Sequence, residues 1–415
     1  MFLYLYRFLI NLVLIISPLI IIVRLLKKKE DFFRFKEKFN FFSKKKIKGK
    51  LVWFHGASVG EVLSVIPLIE KLEKDRKIKQ ILVTSSTVSS SKVFKKFKFK
   101  KTSHQFFPID TNFISKNFLN YWKPSLAIFI DSEIWPNMLI NLKKKSIPVV
   151  LLNGRITLKS FRRWKLFGNF SKKIFQCFSK ALVCNKETLQ YLKYFNLKNI
   201  KYIGNLKFSE KEKQKVSIPK KISSFLSKKN YWCAGSTHHG EEIYCIKTHK
   251  EIKKEYKNLV TIIIPRHINR KQEIISILKR NNLNFHCHSW NKNISNETDI
   301  YLVDTYGETS IFYKLCKIVF MGGSLIKHGG QNPLEASRLG CKILHGPNIN
   351  NFKDIYKLLQ KLKISQKINT NNNLTKSIKE NIKIKASPIS IIKRIEEMGI
   401  KIKQSALKEL KQLIN

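Results

Sequence analysis

Apolar and polar positions alternate in three distinct ways along this chain. Met1–Val23 is an almost unbroken apolar run, interrupted by Arg7, Asn11, Ser17 and Pro18, with Arg24 and Lys27-Lys28-Lys29 directly after it. About 20 apolar residues cross a bilayer's hydrocarbon, so the run is long enough but not generous. A cleaved signal peptide would carry its cations ahead of the apolar stretch and a small-x-small site behind it, and this run has neither. The positive-inside rule keeps the Lys cluster, and with it the rest of the chain, in the cytoplasm. Residues 1–26 therefore read as a single N-terminal anchor. Spanning is favoured slightly over lying in the interface, which Arg7 and Pro18 keep open.

Residues 30–50 mix Phe32, Phe33, Phe35, Phe39, Phe41 and Phe42 with Lys and Arg. That mixture suits either the headgroup layer or a packed helix with one solvated face. From Leu51 short apolar runs alternate with amphipathic helical stretches. Strands are predicted at 51–55, 80–84, 126–130, 148–152 and 181–184, and helices between them imply a parallel α/β sheet. A polar, Lys-rich stretch at 209–230 reads as a linker. A second α/β series follows, with strands at 231–234, 259–264, 300–303, 318–321 and 342–344. The segment 361–380 reads as a solvated helix and loop. The expected domains are 1–26 (anchor), 27–208, 209–230 (linker) and 231–415. The architecture is two doubly wound α/β domains facing a cleft, with ligand at the C-terminal ends of the strands.

Charge changes the picture only in part. Lys+Arg number 80 against Asp+Glu 28, a formal +52 over 415 residues. Base reading would favour clustered Arg interleaved with aromatics on one element, whereas here Lys is scattered over the whole length. Compositional bias accounts for most of the excess, and attraction to anionic lipid for part of it near the N-terminus. No nucleic-acid partner is expected. Seven cysteines without a CxxC pair indicate free thiols in a reducing compartment. His286-Cys287-His288 lacks a second ligand cluster, so no metal and no cofactor are expected.

The candidate chemistry sits in the turns after predicted strands. His55-Gly56-Ala57-Ser58-Val59-Gly60-Glu61 leads a strand into a helix and puts Glu61 either at a cleft rim or merely against the helix dipole. Asp131-Ser132-Glu133-Ile134-Trp135-Pro136-Asn137 brings two carboxylates to the next strand end, where they can polarise a hydroxyl or simply cap a helix. The second half holds Ala234–Glu241, Pro265-Arg266-His267, Asp304–Glu308 and Met321–Glu335. In the last, glycine pairs flank a loop and Pro333 stands where a first helical residue would stand, so that free N–H groups could hold a phosphate. There is no GxxxxGK[ST] and no GxGxxG, which removes support for ATPases and dehydrogenases.

Taken in order, these six motifs resemble the signature set of the bacterial 3-deoxy-D-manno-octulosonic acid (Kdo) transferases, over nearly the whole chain and including the anchor. The resemblance implies a GT-B-type glycosyltransferase of the cell inner membrane that transfers Kdo from CMP-Kdo to the lipid A precursor, lipid IVA, with inversion. The acceptor would be bound by the N-terminal half and CMP by the C-terminal half, with inner-membrane phospholipid as a further partner. It implies Glu61 as proton acceptor, and Asp131 or Glu133, together with Lys207 of Gly204-Asn205-Leu206-Lys207-Phe208, as transition-state stabilisers. CMP would be held by Pro265 and Arg266, by Tyr306, Gly307 and Glu308, and by Asn332, Pro333, Leu334 and Glu335. Two positions depart from the pattern: the family usually has Glu where Asp131 stands, and Met or Leu where Tyr306 stands. The competing readings are a GT-B transferase for another nucleotide sugar and a membrane-tethered basic nucleic-acid-binding protein.

Overall fold

The computed structural model describes residues 1–209, 217–382 and 389–414, so residues 210–216 of the expected linker lie outside the described residues. The chain forms two compact units, Met1–Lys211 with Met398–Asn415, and Glu212–Glu397. The last helix, Ile389–Ile414, thus leaves the second unit and ends on the first. Its Glu409 pairs with Lys180 at 2.5 Å and Lys201 at 2.7 Å. The backbone oxygen of Ile414 takes a hydrogen bond from Lys50 Nζ. Assigning everything from 231 to 415 to one domain is corrected accordingly: an amphipathic helix carries no mark of which core it will cover.

In the first unit the strands are β1 (Lys50–His55), β2 (Ile78–Ser85), β3 (Thr102–Phe106), β4 (Leu126–Ile130), β5 (Val149–Gly154), β6 (Lys180–Val183) and β7 (Ile200–Tyr202). They form one wholly parallel sheet in the order β3-β2-β1-β4-β5-β6-β7. β1, β4 and β5 are apolar at nearly every position because helices cover both faces, which removes any alternation. Trp53, Phe118, Trp122 and Phe129 pack together at the centre of this core.

The second unit repeats the plan with β8 (Asn230–Thr237), β9 (Leu259–Pro265), β10 (Phe285–Cys287), β11 (Ile300–Leu302), β12 (Ile318–Met321), β13 (Lys342–His345) and β14 (Ser365–Lys367). Their order is β10-β11-β9-β8-β12-β13-β14, again all parallel. The segment 361–380 is not solvated as expected. It supplies edge strand β14 and a helix, Asn371–Asn381, whose Leu374 and Ile378 are fully buried in the core. All seven cysteines are free and buried.

The N-terminal helix, Phe2–Leu26, belongs to the first unit. Its covered positions are Phe2, Leu3, Tyr6, Arg7, Ile10, Leu14, Ser17, Ile21, Arg24 and Leu25, an i, i+3/i+4 stripe from end to end. Near its start, Tyr6 donates to Asp110 at 2.8 Å and Arg7 to Asn137 and Asn112. At its end, Arg24 pairs with Glu30, which also holds Lys38. The opposite face leaves Leu5, Phe8, Leu12, Ile15, Leu19 and Val23 exposed. The Phe-rich segment that follows is only partly packed. Phe42 stacks on Tyr121 at 3.8 Å, whereas Phe32, Phe33 and Phe41 stand exposed.

Candidate functional site

In the first sheet the chain runs outward from β1 to β2 and β3, then returns to β4 on the other side of β1. Doubly wound sheets bind ligands at such a reversal, at the C-terminal ends of the strands. Both acidic motifs flank it. After β1, Ser58 caps the helix Val59–Leu72 and forms a reciprocal capping box with Glu61. The Glu61 carboxylate accepts the Ala57 N–H at 2.6 Å and the Ser58 N–H at 3.3 Å, which fixes it over the loop. Gly56 lies beneath it, where a Cβ would come within 3.0 Å of both the Glu61 Cβ and Ile130 Cδ1. Glu61 thus caps its helix while standing at the end of β1, beside the reversal.

After β4, Asp131 turns the backbone into the left-handed region, φ 57°, which Asp adopts more readily than most residues. Its carboxylate accepts a hydrogen bond from the Asn153 side chain at the end of β5. Asn153 Oδ1 in turn accepts the Leu206 N–H at 2.8 Å, beside Lys207. Glu133 takes the Trp135 indole N–H at 2.8 Å and lies 3.1 Å from His55 Nε2. His55 itself stacks on Phe107 at 3.7 Å. His55, Asn153 and Trp135 hold the acids, and sequence reasoning gave none of them a role. His55 opens the first motif and Trp135 lies within the second, but Asn153 belongs to no motif.

The three acids share one electrostatic environment. Burial, then the charges of Glu133 and Asp131, push the Glu61 carboxyl up to about 7. Burial raises Asp131 as well, against the pull of Lys207 and Arg155. Burial acts to raise Glu133 too, but hydrogen bonding to His55 and Trp135 outweighs it and leaves that carboxyl below its ordinary value. One carboxylate is thus kept ionised while its neighbour is poised to exchange a proton near neutrality, the division of roles that acid–base chemistry needs.

The second sheet has its own reversal between β8 and β12, and the loops after those strands meet there. A Cβ on Gly322 would come within 2.4 Å of the Ser236 carbonyl oxygen, so only glycine lets the two loops touch. Glu241, fully buried, accepts N–H groups from His238, Gly323, Ser324 and Leu325. A single carboxylate thereby fixes the glycine-rich loop.

Of the sequence-predicted residues, Pro265 ends β9 and Arg266 follows it, bound through its N–H to Thr237 O, with its side chain exposed. After β11, Tyr306 is exposed and Gly307 adopts φ 92°. Glu308 is held by Thr305 and by His288 at 3.0 Å. Thr309 donates to the Glu335 carboxylate, which brings the 304–309 and 332–335 loops together. Pro333 caps the helix Leu334–Arg338 rather than starting it. That helix has only five residues, and the Leu334 N–H is already taken by Asn332 Oδ1. The expected phosphate seat on free N–H groups is corrected to this extent: Asn332 and Glu241 occupy many of the donors. Among the described residues, no three His, Cys, Asp or Glu side chains gather as a metal site would require.

The model of the 3-deoxy-D-manno-octulosonic-acid transferase (kdotransferase) family matches residues 33–210. The chain is 37% identical over 355 residues to the 3-deoxy-D-manno-octulosonic acid transferase of Rickettsia bellii, covering 85% of this chain and 84% of that one. It is 30% identical over 317 residues to that of Haemophilus influenzae, covering 74% and 73%. Among solved structures it is similar to the UDP-GlcNAc 2-epimerase of Neisseria meningitidis bound to UDP-GlcNAc. The TM-score is 0.57 at 13% identity, over 88% of this chain and 99% of that one, a likeness of fold alone.

Proposed function

This chain belongs to the family of 3-deoxy-D-manno-octulosonic acid (Kdo) transferases, and from that membership we propose that it moves Kdo from CMP-Kdo onto lipid IVA, with inversion. Kdo transferase activity follows from relatives that match most of its length. The GT-B fold agrees with it. The observation that carries the finer reading is Glu61, held at a sheet reversal beside Asp131 and Glu133 and pushed up to about 7.

In the proposed reaction a glucosamine hydroxyl of the acceptor gives its proton to the Glu61 carboxylate. The hydroxyl oxygen bonds to the anomeric carbon of Kdo from the face opposite the phosphate. The bond from that carbon to the phosphate oxygen breaks, and CMP leaves with the electron pair. A base whose pKa lies near the working pH is ionised enough to accept the proton and basic enough to draw it. Asp131 and Glu133, with Lys207, are the transition-state stabilisers on the first unit, and Arg266 is among the residues of the second that meet the phosphate of CMP. CMP is held by Pro265, Arg266, Tyr306, Gly307, Glu308 and the 332–335 loop of the second unit.

The N-terminal helix, in this reading, rests in the interface of the inner membrane on its cytoplasmic side instead of crossing it. Arg7 and Arg24 lie about 26 Å apart along such a helix at about 1.5 Å per residue. Both are tied to the same folded unit. A crossing helix would carry those ends to opposite sides of roughly 30 Å of hydrocarbon.

The test is incubation with CMP-Kdo and detergent-dispersed lipid IVA, with products weighed by mass spectrometry. Acceptor gaining whole Kdo residues is expected. Transfer from a different nucleotide sugar, or no transfer to lipid IVA, would overturn the donor or the acceptor assignment respectively.

A further inference from the structure

Apart from the acidic site, the first unit contains a cavity of about 670 Å³ between the start of the N-terminal helix and the helices Pro136–Lys144 and Asn169–Phe175. That size is ordinary for a site that swallows most of a small ligand. Its wall is apolar, from Phe2, Leu3, Ile140, Phe170 and Ile174. Phe2 is wedged there, its ring 5.4 Å from Phe167 and 6.4 Å from Phe170. Lys143, Lys144 and Lys173 also line it and reach solvent. No acidic side chain lines the cavity.

A helix's position along its sheet locates this cavity relative to the chemistry. Asn137, at the first turn of Pro136–Lys144, lies at the strand C-terminal ends, where Asp110 and Arg7 reach it. Ile140, Lys143 and Lys144 come one to two turns later and therefore point toward the other end of the sheet. An acceptor hydroxyl at Glu61 is not what this cavity holds.

We propose that the cavity is a binding site for one anionic membrane phospholipid, an acyl chain lying against Phe2, Ile140 and Ile174 and the phosphate meeting Lys143, Lys144 and Lys173. Charge complementarity selects the occupant. An apolar slot alone would accept any hydrocarbon, but three cations with no acid among the lining groups favour a ligand that carries negative charge at the end of an apolar tail. The inference rests on the reading of the N-terminal helix as interfacial, because a helix lying in the headgroup layer keeps its first residues, and the cavity they line, at the level of lipid phosphates on the side of the folded unit. Occupancy would fix the start of that helix against the unit.

Native mass spectrometry of the full chain in mild detergent tests this, with phosphatidylglycerol or phosphatidylcholine of matched chains as probes and no donor or acceptor present. One retained phosphatidylglycerol is expected, preferred over phosphatidylcholine on the order of tenfold or more, since each surface Lys adds about 1 kcal/mol of attraction to anionic lipid. Replacing Lys143, Lys144 and Lys173 by Gln touches only exposed positions and should abolish the preference. Ile140→Trp should fill the slot and remove retention of both lipids. Equal retention of the two lipids by the unaltered chain, no retention, or a preference that survives the triple substitution would overturn the proposal. Flotation of the same proteins with phosphatidylcholine vesicles reads the helix's membrane contact separately, so a failed lipid site is distinguishable from a failed interfacial reading.

Discussion

Asn153 donates its side-chain amide to the Asp131 carboxylate while its own oxygen takes the Leu206 N–H at 2.8 Å. One buried amide thereby ties the end of β4 to the loop that presents Lys207. Both residues hold φ 57°, a backbone region that Asn and Asp tolerate better than most. The arrangement is a positioning device, and its removal should be felt at the acids and at Lys207 together.

Asn153→Ala should lower kcat roughly 10- to 100-fold, because small misplacements of reacting groups cost that much. It leaves the Leu206 N–H without its buried partner, at about 1–3 kcal/mol of stability. Steady-state kinetics beside thermal unfolding separate the two effects. A variant that loses stability but keeps kcat would confine Asn153 to a structural role.

Glu61→Gln tests the base cleanly because Gln also completes a capping box, so the helix start survives. Turnover should fall roughly 100- to 10,000-fold while nucleotide binding persists. For the native enzyme, Glu61 must be ionised to act, so kcat/KM should climb with pH and reach half its limit near 7 on the acidic limb. Folding stability should move the opposite way. A carboxyl raised by burial holds its proton longer when folded, so its contribution is lost as pH rises through about 7. A flat profile between pH 6 and 8 would remove Glu61 from the rate-limiting proton transfer.

Glu241→Gln reaches the second unit. Its carboxylate accepts four N–H groups, and an amide brings an NH2 group against donors that need an acceptor. Charged hydrogen bonds contribute about 1.5–3 kcal/mol each, so the loop should loosen and KM for the donor should rise about tenfold or more. Isothermal titration with CMP on the isolated variant, beside its melting curve, shows whether the loss is local. Unchanged CMP affinity would mean the glycine-rich loop does not shape the nucleotide seat.

Much of this was legible in sequence because parallel strands buried on both faces print continuous apolar runs, as in Leu126–Ile130 and Ile318–Met321. The strands that escaped were edges or short. β3, Thr102-Ser-His-Gln-Phe, prints no apolar run because its buried side chains include His104 and Gln105, and β7, β10 and β14 have three residues each. The acids stood out because they follow strands and stand at or before helix starts. Asn153 was not, since its hydrogen-bond partners lie 22 and 53 residues away. Glu241 was read as part of a motif but its purpose was invisible, for the loop it binds lies over eighty residues on. The occupied N–H groups of the glycine-rich loop were hidden for a related reason: sequence shows donors but not which acceptors already hold them.

The N-terminal helix gives the last prediction, since a plain tether and a docked interfacial helix behave differently when removed. A tether can be cut without harm to the folded unit. Here Tyr6 donates to Asp110, which also gathers the Asn137 and Met138 N–H groups and the Ser115 hydroxyl. Burial still pushes the Asp110 carboxyl up to about 7. Tyr6→Phe removes one donor from that buried group and should cost about 1–3 kcal/mol. In a unit of this size that is a fall in Tm of roughly 2–10 °C. Deleting residues 1–26 should cost more, because it also takes away the Arg7 contacts and uncovers the face on which the helix lies. Burial raises the folded pKa of Asp110, so its contribution to folding is fullest in acid and is lost as pH rises through about 7. The Tyr6 hydrogen bond pulls the other way and favours the ionised carboxylate, so Tyr6→Phe should cost more at pH 8 than at pH 6. Orientation is read by spin labels on single cysteines, the seven native thiols being buried. Labels at Leu5, Leu12, Leu19 and Val23 should report one shallow depth, as the exposed stripe of a helix in the interface must. Depth that rises to a maximum near Leu12 and falls again would establish a span, and with it the failure of the docked reading.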